Sequence, residues 1–343
     1  MKKVISFAMS MMLGASLLYG CTSGTASTSL QSEETASSSS SASDSTEEES
    51  CMIGMSVPSM NNPYFIYIED IIKSKVEANG DTFVSFDPQY DPMKQISQIE
   101  DMITQGIDVL ILCPYDSQGI RPALEACKEK GVLVVNFDNR VMDTDLADAI
   151  LVSDNYNAGK VVGERVNEDF PDGAKVAILN SPVGESTMDR ENGFKEALND
   201  NIEVVAIQDG KGELQTAMEP AENILQAHPD LDAFFAVTDQ AALGCVAVLE
   251  GAGKAGQVHV YGIDGSPDGK KAMQDGTMHG SGAQSPKGLA EGSVDLAYRL
   301  LAGETFENEE VVETFLISPD NLDEYGVDSW QETNSKAGHL GHL

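Results

Sequence analysis

From Met52 onward, short apolar runs alternate with longer segments in which apolar residues recur every three or four positions. The runs at 53–57, 83–86, 109–113 and 133–136 are continuous rather than alternating, which is the pattern of strands buried on both faces of a parallel sheet. Between them the periodic segments predict helices over 64–79, 93–105 and 119–130. Phe65, Ile68, Ile72 and Val76 fall on one face of the first helix and should pack on the sheet. Each of the three stops at a glycine, Gly80, Gly106 or Gly131, and glycine takes the left-handed conformation past a helix end without steric cost. Strands spaced roughly 25 to 30 residues apart suit right-handed βαβ units.

The rhythm pauses over 141–149, resumes with a short strand at 150–152, and then starts a second set. Strands are predicted at 176–180, 204–208, 233–237 and 258–263, with helices over 156–169, 186–199, 214–227, 240–251 and 267–274. A last helix over 286–301 and a strand at 314–317 return to the lobes. Two successive sets imply an α/β protein of two doubly wound parallel-sheet lobes joined by a hinge. The expected division is 51–152 for the N-terminal lobe, with 285–314 returning to it. The C-terminal lobe takes 153–284 with 315–318, and 319–343 is a tail, either wrapped on the surface or disordered.

The first 50 residues break this pattern. Lys2 and Lys3 precede an apolar run from Val4 to Leu18, followed by Tyr19, Gly20 and Cys21, so 1–20 reads as a secretory signal. A cysteine directly after the cut is the pattern of bacterial lipoproteins, with Cys21 the lipidated residue. An uncleaved membrane anchor is the alternative, but the run is shorter than the 18 or so apolar residues that span a bilayer. Residues 21–50 are nearly all Ser, Thr, Ala and Glu, too polar to offset their conformational entropy, and are expected to form a disordered tether.

Composition narrows the partners. The 343 residues carry 21 basic and 56 acidic side chains, a net charge of −35 that repels phosphate backbones and excludes nucleic acid as a partner. Beyond Cys21, the cysteines Cys51, Cys113, Cys127 and Cys245 have no metal-type spacing, and the five histidines are scattered. No metal or cofactor is expected. A Cys113–Cys127 bridge is conceivable in an exported chain, but buried thiols are the commoner state.

Open α/β sheets bind ligands at the carboxyl ends of their strands. Those positions read Asn61-Asn62-Pro63-Tyr64-Phe65, Phe137-Asp138-Asn139-Arg140, Val237-Thr238-Asp239, Ile263-Asp264-Gly265 and Ala283-Gln284. Carboxylates accept from hydroxyls, amides and guanidinium orient and donate, and an aromatic face covers the C–H patch of a sugar ring. Such a set suits a small polyhydroxylated ligand. Simpler roles compete: Asn62-Pro63 as a helix start, Asp264 as a cap, Arg190 as a surface ion-pair partner, and Tyr64 or Phe65 as core.

Several of these stretches, in order, resemble the ribose-type periplasmic sugar-binding proteins, the substrate-binding components of ABC transporters. They are Asn61-Asn62-Pro63-Tyr64-Phe65, Asp138, Arg190 within Met188-Asp189-Arg190-Glu191-Asn192-Gly193-Phe194, Thr238-Asp239-Gln240-Ala241-Ala242-Leu243-Gly244, and Gly262-Ile263-Asp264-Gly265-Ser266-Pro267-Asp268-Gly269. The resemblance runs from about Met52 to Leu316. It implies a type I periplasmic binding protein fold and ligand-facing roles for Asn62, Tyr64, Asp138, Arg190, Asp264 and Gln284, with Phe65 a second aromatic wall. Three positions depart from the family pattern. Asn139 stands where an Arg commonly follows the pocket Asp, with Arg140 one place later. Thr238 replaces an Asn, and Gly210-Lys211-Gly212 stands where an aromatic usually closes the second lobe's side. A one-sided aromatic contact admits a bulkier or differently oriented ligand than ribose.

The implied function is binding, not catalysis: a sugar held between two lobes and passed to a membrane permease by a lipid-anchored, extracytoplasmic monomer. A sensory protein of the same fold, reporting to a receptor or histidine kinase, is the alternative. No phosphate-binding Gly-x-x-x-x-Gly-Lys-[Ser/Thr] and no Gly-x-Ser-x-Gly elbow occurs, so neither ATP hydrolysis nor a serine hydrolase is expected.

Overall fold

The computed structural model describes residues 50–306 and 309–330. The signal, Cys21, all of the tether but Ser50, and 331–343 lie outside the described residues. The N-terminal lobe is built from β1 (Met52–Ser56), α1 (Pro63–Ala78), β2 (Thr82–Phe86), α2 (Pro92–Gln105), β3 (Val109–Leu112), α3 (Arg121–Lys130), β4 (Leu133–Asp138) and β5 (Ala149–Ser153). The C-terminal lobe follows with α4 (Asn155–Asp169), β6 (Ala174–Asn180), α5 (Glu185–Ala197), β7 (Ile202–Asp209), α6 (Leu214–Ala227), β8 (Ala233–Ala236), α7 (Asp239–Gly251), β9 (His259–Asp264), α8 (Pro267–Gln274) and β10 (Gly280–Ala283). The chain then returns through α9 (Pro286–Leu301), β11 (Glu310–Val312) and β12 (Phe315–Ile317).

The first sheet has the order β11-β5-β4-β3-β1-β2 and the second β12-β10-β9-β8-β6-β7, so the lobes repeat one topology. All pairings are parallel except β10 with β12. Each sheet is covered on both faces, and the continuous apolar strands follow from that burial: Val109, Leu110, Ile111 and Leu112 of β3 are fully buried. On one face of the first sheet lie α1 and α9, on the other α2 and α3. Helix α1 buries Phe65, Ile68, Ile72 and Val76 as its period requires, and adds Tyr64 at its first turn. Gly80, Gly106 and Gly131 all take positive φ at the helix ends, from +75 to +90°.

Two details of the strands go beyond the sequence reading. The strand expected at 314–317 is β12 of the second sheet, and a further strand, β11 of the first sheet, precedes it, the two divided where the chain crosses between lobes. Strand β10 is the sequence Gly-Ser-Gly-Ala, whose small residues carry no hydrophobic signal. A Cβ on Gly282 would collide with the Ala158 carbonyl oxygen of α4, so close approach of that helix explains the composition. Cys113, Cys127 and Cys245 are buried free thiols, and Cys113 and Cys127 are not bridged.

Up to β12 the described chain crosses between lobes three times, and two of these crossings are laced together. Asp154 donates its N–H to the Val312 carbonyl at 2.9 Å, and Thr314 returns its hydroxyl to the Asp154 carbonyl at 2.9 Å. No described helix is long and apolar enough to cross a membrane.

Candidate functional site: the cleft between the lobes

The carboxyl ends of both sheets face one cleft with about 560 Å³ of empty space, the solvent at its mouth included. Nine of the ten candidate residues line it: Asn62, Tyr64, Phe65, Asp138, Asn139, Arg190, Thr238, Asp264 and Gln284.

Two aspartates form the polar floor, one from each lobe. Asp138 ends β4 with φ +60° and Asp264 ends β9 with φ +132°. A side chain at positive φ typically costs about 1–3 kcal/mol. Among the described residues, five non-glycines have positive φ, and four of them (Tyr90, Asp138, Lys211 and Asp264) line the cleft. Strain is therefore concentrated where the ligand would sit.

Arg190 is buried between the two carboxyls. Its Nη1 lies 3.7 Å from Asp264 Oδ1 and donates to the Val237 carbonyl at 3.0 Å, while Nε donates to Asn155 Oδ1 at 2.8 Å. Helix packing puts it there: a Cβ on Gly159 would strike the Arg190 backbone, and one on Gly193 the Tyr156 carbonyl. Helices α4 and α5 thus touch backbone to backbone, and Arg190 projects inward instead of pairing on a solvated face. Tyr64 Oη donates to Asp138 Oδ1 at 3.2 Å, Cys113 Sγ donates to Asp138 Oδ2 at 3.5 Å, and Gln284 Nε2 donates to Asp264 Oδ1 at 2.7 Å.

Burial pushes the carboxyl of Asp138 up, against the pull of Arg190 and its two donors. Burial also raises Asp264, with Arg190 opposing and Asp239 and Asp138 adding repulsion. Burial, reinforced by Asp138, holds the Tyr64 hydroxyl and the Cys113 thiol well above their ordinary values, so both remain donors. Asp239 stands behind this floor, fully buried, accepting from Ser266 and Ser281. Among the described residues no group of acidic, histidine or cysteine side chains could hold a metal ion.

The competing simpler roles turn out to be additions, not alternatives. Asn62 caps α1 by accepting from Tyr64 N–H at 3.0 Å and still lines the cleft. Thr238 caps α7 and donates to the Gly212 carbonyl at 2.9 Å. Helix α8 is capped by Ser266, which leaves Asp264 to face the cleft. Asn139 ties the lobes: its Oδ1 accepts from Ser186 N–H at 3.0 Å, and its Nδ2 donates to the Pro114 carbonyl at 2.7 Å. Ser117 adds two bonds across the same seam, donating its N–H to the Val183 carbonyl and accepting from Glu185 N–H.

Arg140 is a correction: it does not line the cleft. The chain leaves Asp138 in a left-handed turn, and Arg140 points to the rim, where it pairs with Glu185 at 3.0 Å and Glu309 at 2.9 Å. Two lining aromatics escaped the sequence reading, Tyr90 and Tyr115, whose rings meet edge-on at 5.5 Å. Both follow strand ends, β2 and β3, so a wider reading of those positions would have found them. The Tyr64 and Phe65 rings also meet edge-on, at 5.2 Å.

Two covered parallel sheets with a polar cleft at their carboxyl ends define a two-lobed solute-binding architecture. Residues 53–305 match the model of the periplasmic binding protein domain. The chain is 31% identical over 267 residues to the ribose import binding protein of Salmonella typhimurium, covering 77% of this chain and 90% of that one. It is 32% identical over 252 residues to the ribose import binding protein of Bacillus subtilis, covering 73% and 82%. A galactofuranose-binding protein of known structure superposes with a TM-score of 0.75 at 25% identity, over 80% of this chain and 96% of the other. The chain belongs to the periplasmic binding protein family, whose members here are extracytoplasmic solute-binding proteins of ABC import systems and not enzymes.

Proposed function

We propose that this chain binds a monosaccharide in its inter-lobe cleft and delivers it to the permease of an ABC transporter. It acts as a monomer held at the membrane by a lipid on Cys21. The observation that carries the reading is the convergence of Asp138, Arg190, Asp264 and Gln284 with four aromatic rings in one cleft. The carboxyls accept sugar hydroxyls, Arg190 donates, and the rings cover the apolar face of the ligand. Similarity to ribose import and galactofuranose-binding proteins supports a sugar as the ligand class. Asn139, Thr238 and the exposed Lys211 argue for a ligand other than ribose, because the second lobe offers no ring among the described lining residues. Binding proceeds by closure: a ligand that contacts both lobes stabilises the closed arrangement by its differential affinity for it.

A melting screen over pentoses, hexoses in pyranose and furanose form, and cyclic polyols tests this. Ligand at 100 times its Kd adds about 2.7 kcal/mol of stability. If no sugar moves the melting curve, and mass spectrometry of material released from the purified protein finds no sugar, the reading fails. A Cys21→Ser protein is expected to leave the membrane fraction while keeping its ligand.

A further inference from the structure

The chain leaves β12 on the C-terminal lobe and does not stay there. Leu322 and Tyr325 pack on that lobe's core, with Tyr325 stacked on Phe315 at 5.3 Å between ring centroids. Lys270 of α8 is the one fully buried lysine among the described residues. Its Nζ donates to the carbonyl oxygens of Gly326 and Ser329, both at 2.6 Å. A buried ammonium is costly unless its hydrogens are taken up, and both of these acceptors belong to the tail. Trp330 then packs on the other lobe. Its indole lies edge-on to Tyr64 at 5.5 Å and beside Tyr67 at 6.1 Å, against the core cluster under α1. Five residues carry the chain from one lobe's core to the other's, a span of at most about 18 Å.

Tyr64 is the ring that lines the cleft and donates its hydroxyl to Asp138. Phe65 and Trp330 both meet it edge-on, at 5.2 and 5.5 Å. We infer that residues 319–330 form a strap across both lobes, in which Trp330 is a positioning residue for Tyr64. With the strap docked, Tyr64 is held where its hydroxyl meets Asp138; with Trp330 withdrawn, ring and carboxylate lose that register. The inference rests on the reading of Tyr64 and Asp138 as ligand contacts. Opening of the cleft works against a strap anchored at Lys270 on one lobe and Tyr64 on the other, so docking and ligand binding favour each other.

Trp330 is the chain's single tryptophan, so its emission reports docking directly. The test uses purified protein labelled with fluorotyrosine, the Tyr64 resonance assigned by Tyr64→Phe. The ligand is the sugar that gives the largest melting shift in the screen above. Trp330→Ala is expected to move or broaden the Tyr64 resonance and weaken binding about three- to tenfold, the range an edge-on aromatic contact supplies. Trp330→Phe should restore both. Lys270→Met leaves the indole in place in the sequence but frees the strap, and should red-shift Trp330 emission and move the Tyr64 resonance in the same sense. An unmoved Tyr64 resonance in both Trp330→Ala and Lys270→Met overturns the inference, as does a moved resonance with unchanged affinity. If the unsubstituted protein binds no sugar, the sugar reading fails on its own. The emission and resonance of the ligand-free variants then still decide whether the strap positions Tyr64.

Discussion

The two lobes are copies in topology and opposites in chemistry. In each, the central strand order is the same, and in each an aspartate at positive φ ends the equivalent strand, Asp138 on β4 and Asp264 on β9. A second strained residue follows the edge strand in each lobe, Tyr90 after β2 and Lys211 after β7. Equivalent backbone positions thus carry an aromatic ring on one side and an ammonium on the other. After the next pair of matching strands stand Tyr115 and Thr238. The N-terminal wall holds all four lining rings, while the C-terminal wall holds Arg190 and a series of hydroxyls. Doubly wound topology fixes where the chain turns toward the ligand. In the proposed function, side-chain choice at those turns divides the work: apolar area on the N-terminal wall alone, directional hydrogen bonds on both.

If that division holds, the largest loss comes from the charged wall. Arg190→Met leaves Asn155 Oδ1 and the Val237 carbonyl without their donor and the floor carboxyls without their cation, and each buried acceptor left unpaired costs about 1–3 kcal/mol. Urea unfolding should show that loss, and calorimetry should show affinity weakened at least about 100-fold. Unchanged stability would place Arg190 outside the electrostatic balance of the floor.

The next effect is a pH dependence. In the fold Asp264 keeps its proton well above the ordinary carboxylate range, up to about 8, because burial disfavours its charge. The unfolded chain loses that proton near pH 4. The folded, ligand-free protein therefore binds more protons than the unfolded one across this window. The stabilisation is fully present below pH 4 and is lost as the pH rises toward 8. Asp264→Asn should flatten that decline. A ligand-free stability that rises over the same range would contradict the buried carboxyl.

A smaller effect compares the walls directly. Tyr115→Ala should weaken binding about tenfold through lost apolar contact, whereas Lys211→Ala, at an exposed position, should change it less than about threefold. The reverse order would break the division of labour. Smallest of all is Arg140→Ala: its pairs with Glu185 and Glu309 are half exposed, so stability should fall by no more than about 1 kcal/mol. Affinity should stay within about twofold.

Most of the scaffold was readable because each lobe's central strands are buried on both faces, and covered strands must be apolar throughout. Helix ends at Gly80, Gly106 and Gly131 were readable for an equally local reason, the positive φ that each adopts. Eight of the ten candidate residues reached the cleft because strand ends determine position in an open α/β sheet, and a ninth, Arg190, reached it from inside α5. What failed depended on contacts distant in sequence. Gly280–Ala283 is a strand through its pairing with β9 and β12, and Gly282 lacks a side chain because the α4 backbone approaches it too closely. Asn139 serves the seam as well as the cleft, since Ser186 arrives from the other lobe.

The sequence alone determined the two-lobed α/β plan, the cleft at the strand ends and the residue types available to meet a polar ligand, because burial and turn geometry are written in local pattern. Tertiary structure decided which residues share the site. It directed Arg190 inward through backbone contact between α4 and α5, and Arg140 outward toward two acidic neighbours. It also brought Trp330, more than 260 residues away in the chain, against Tyr64. Packing between distant segments leaves no periodic trace in either one, so only the assembled fold reveals it.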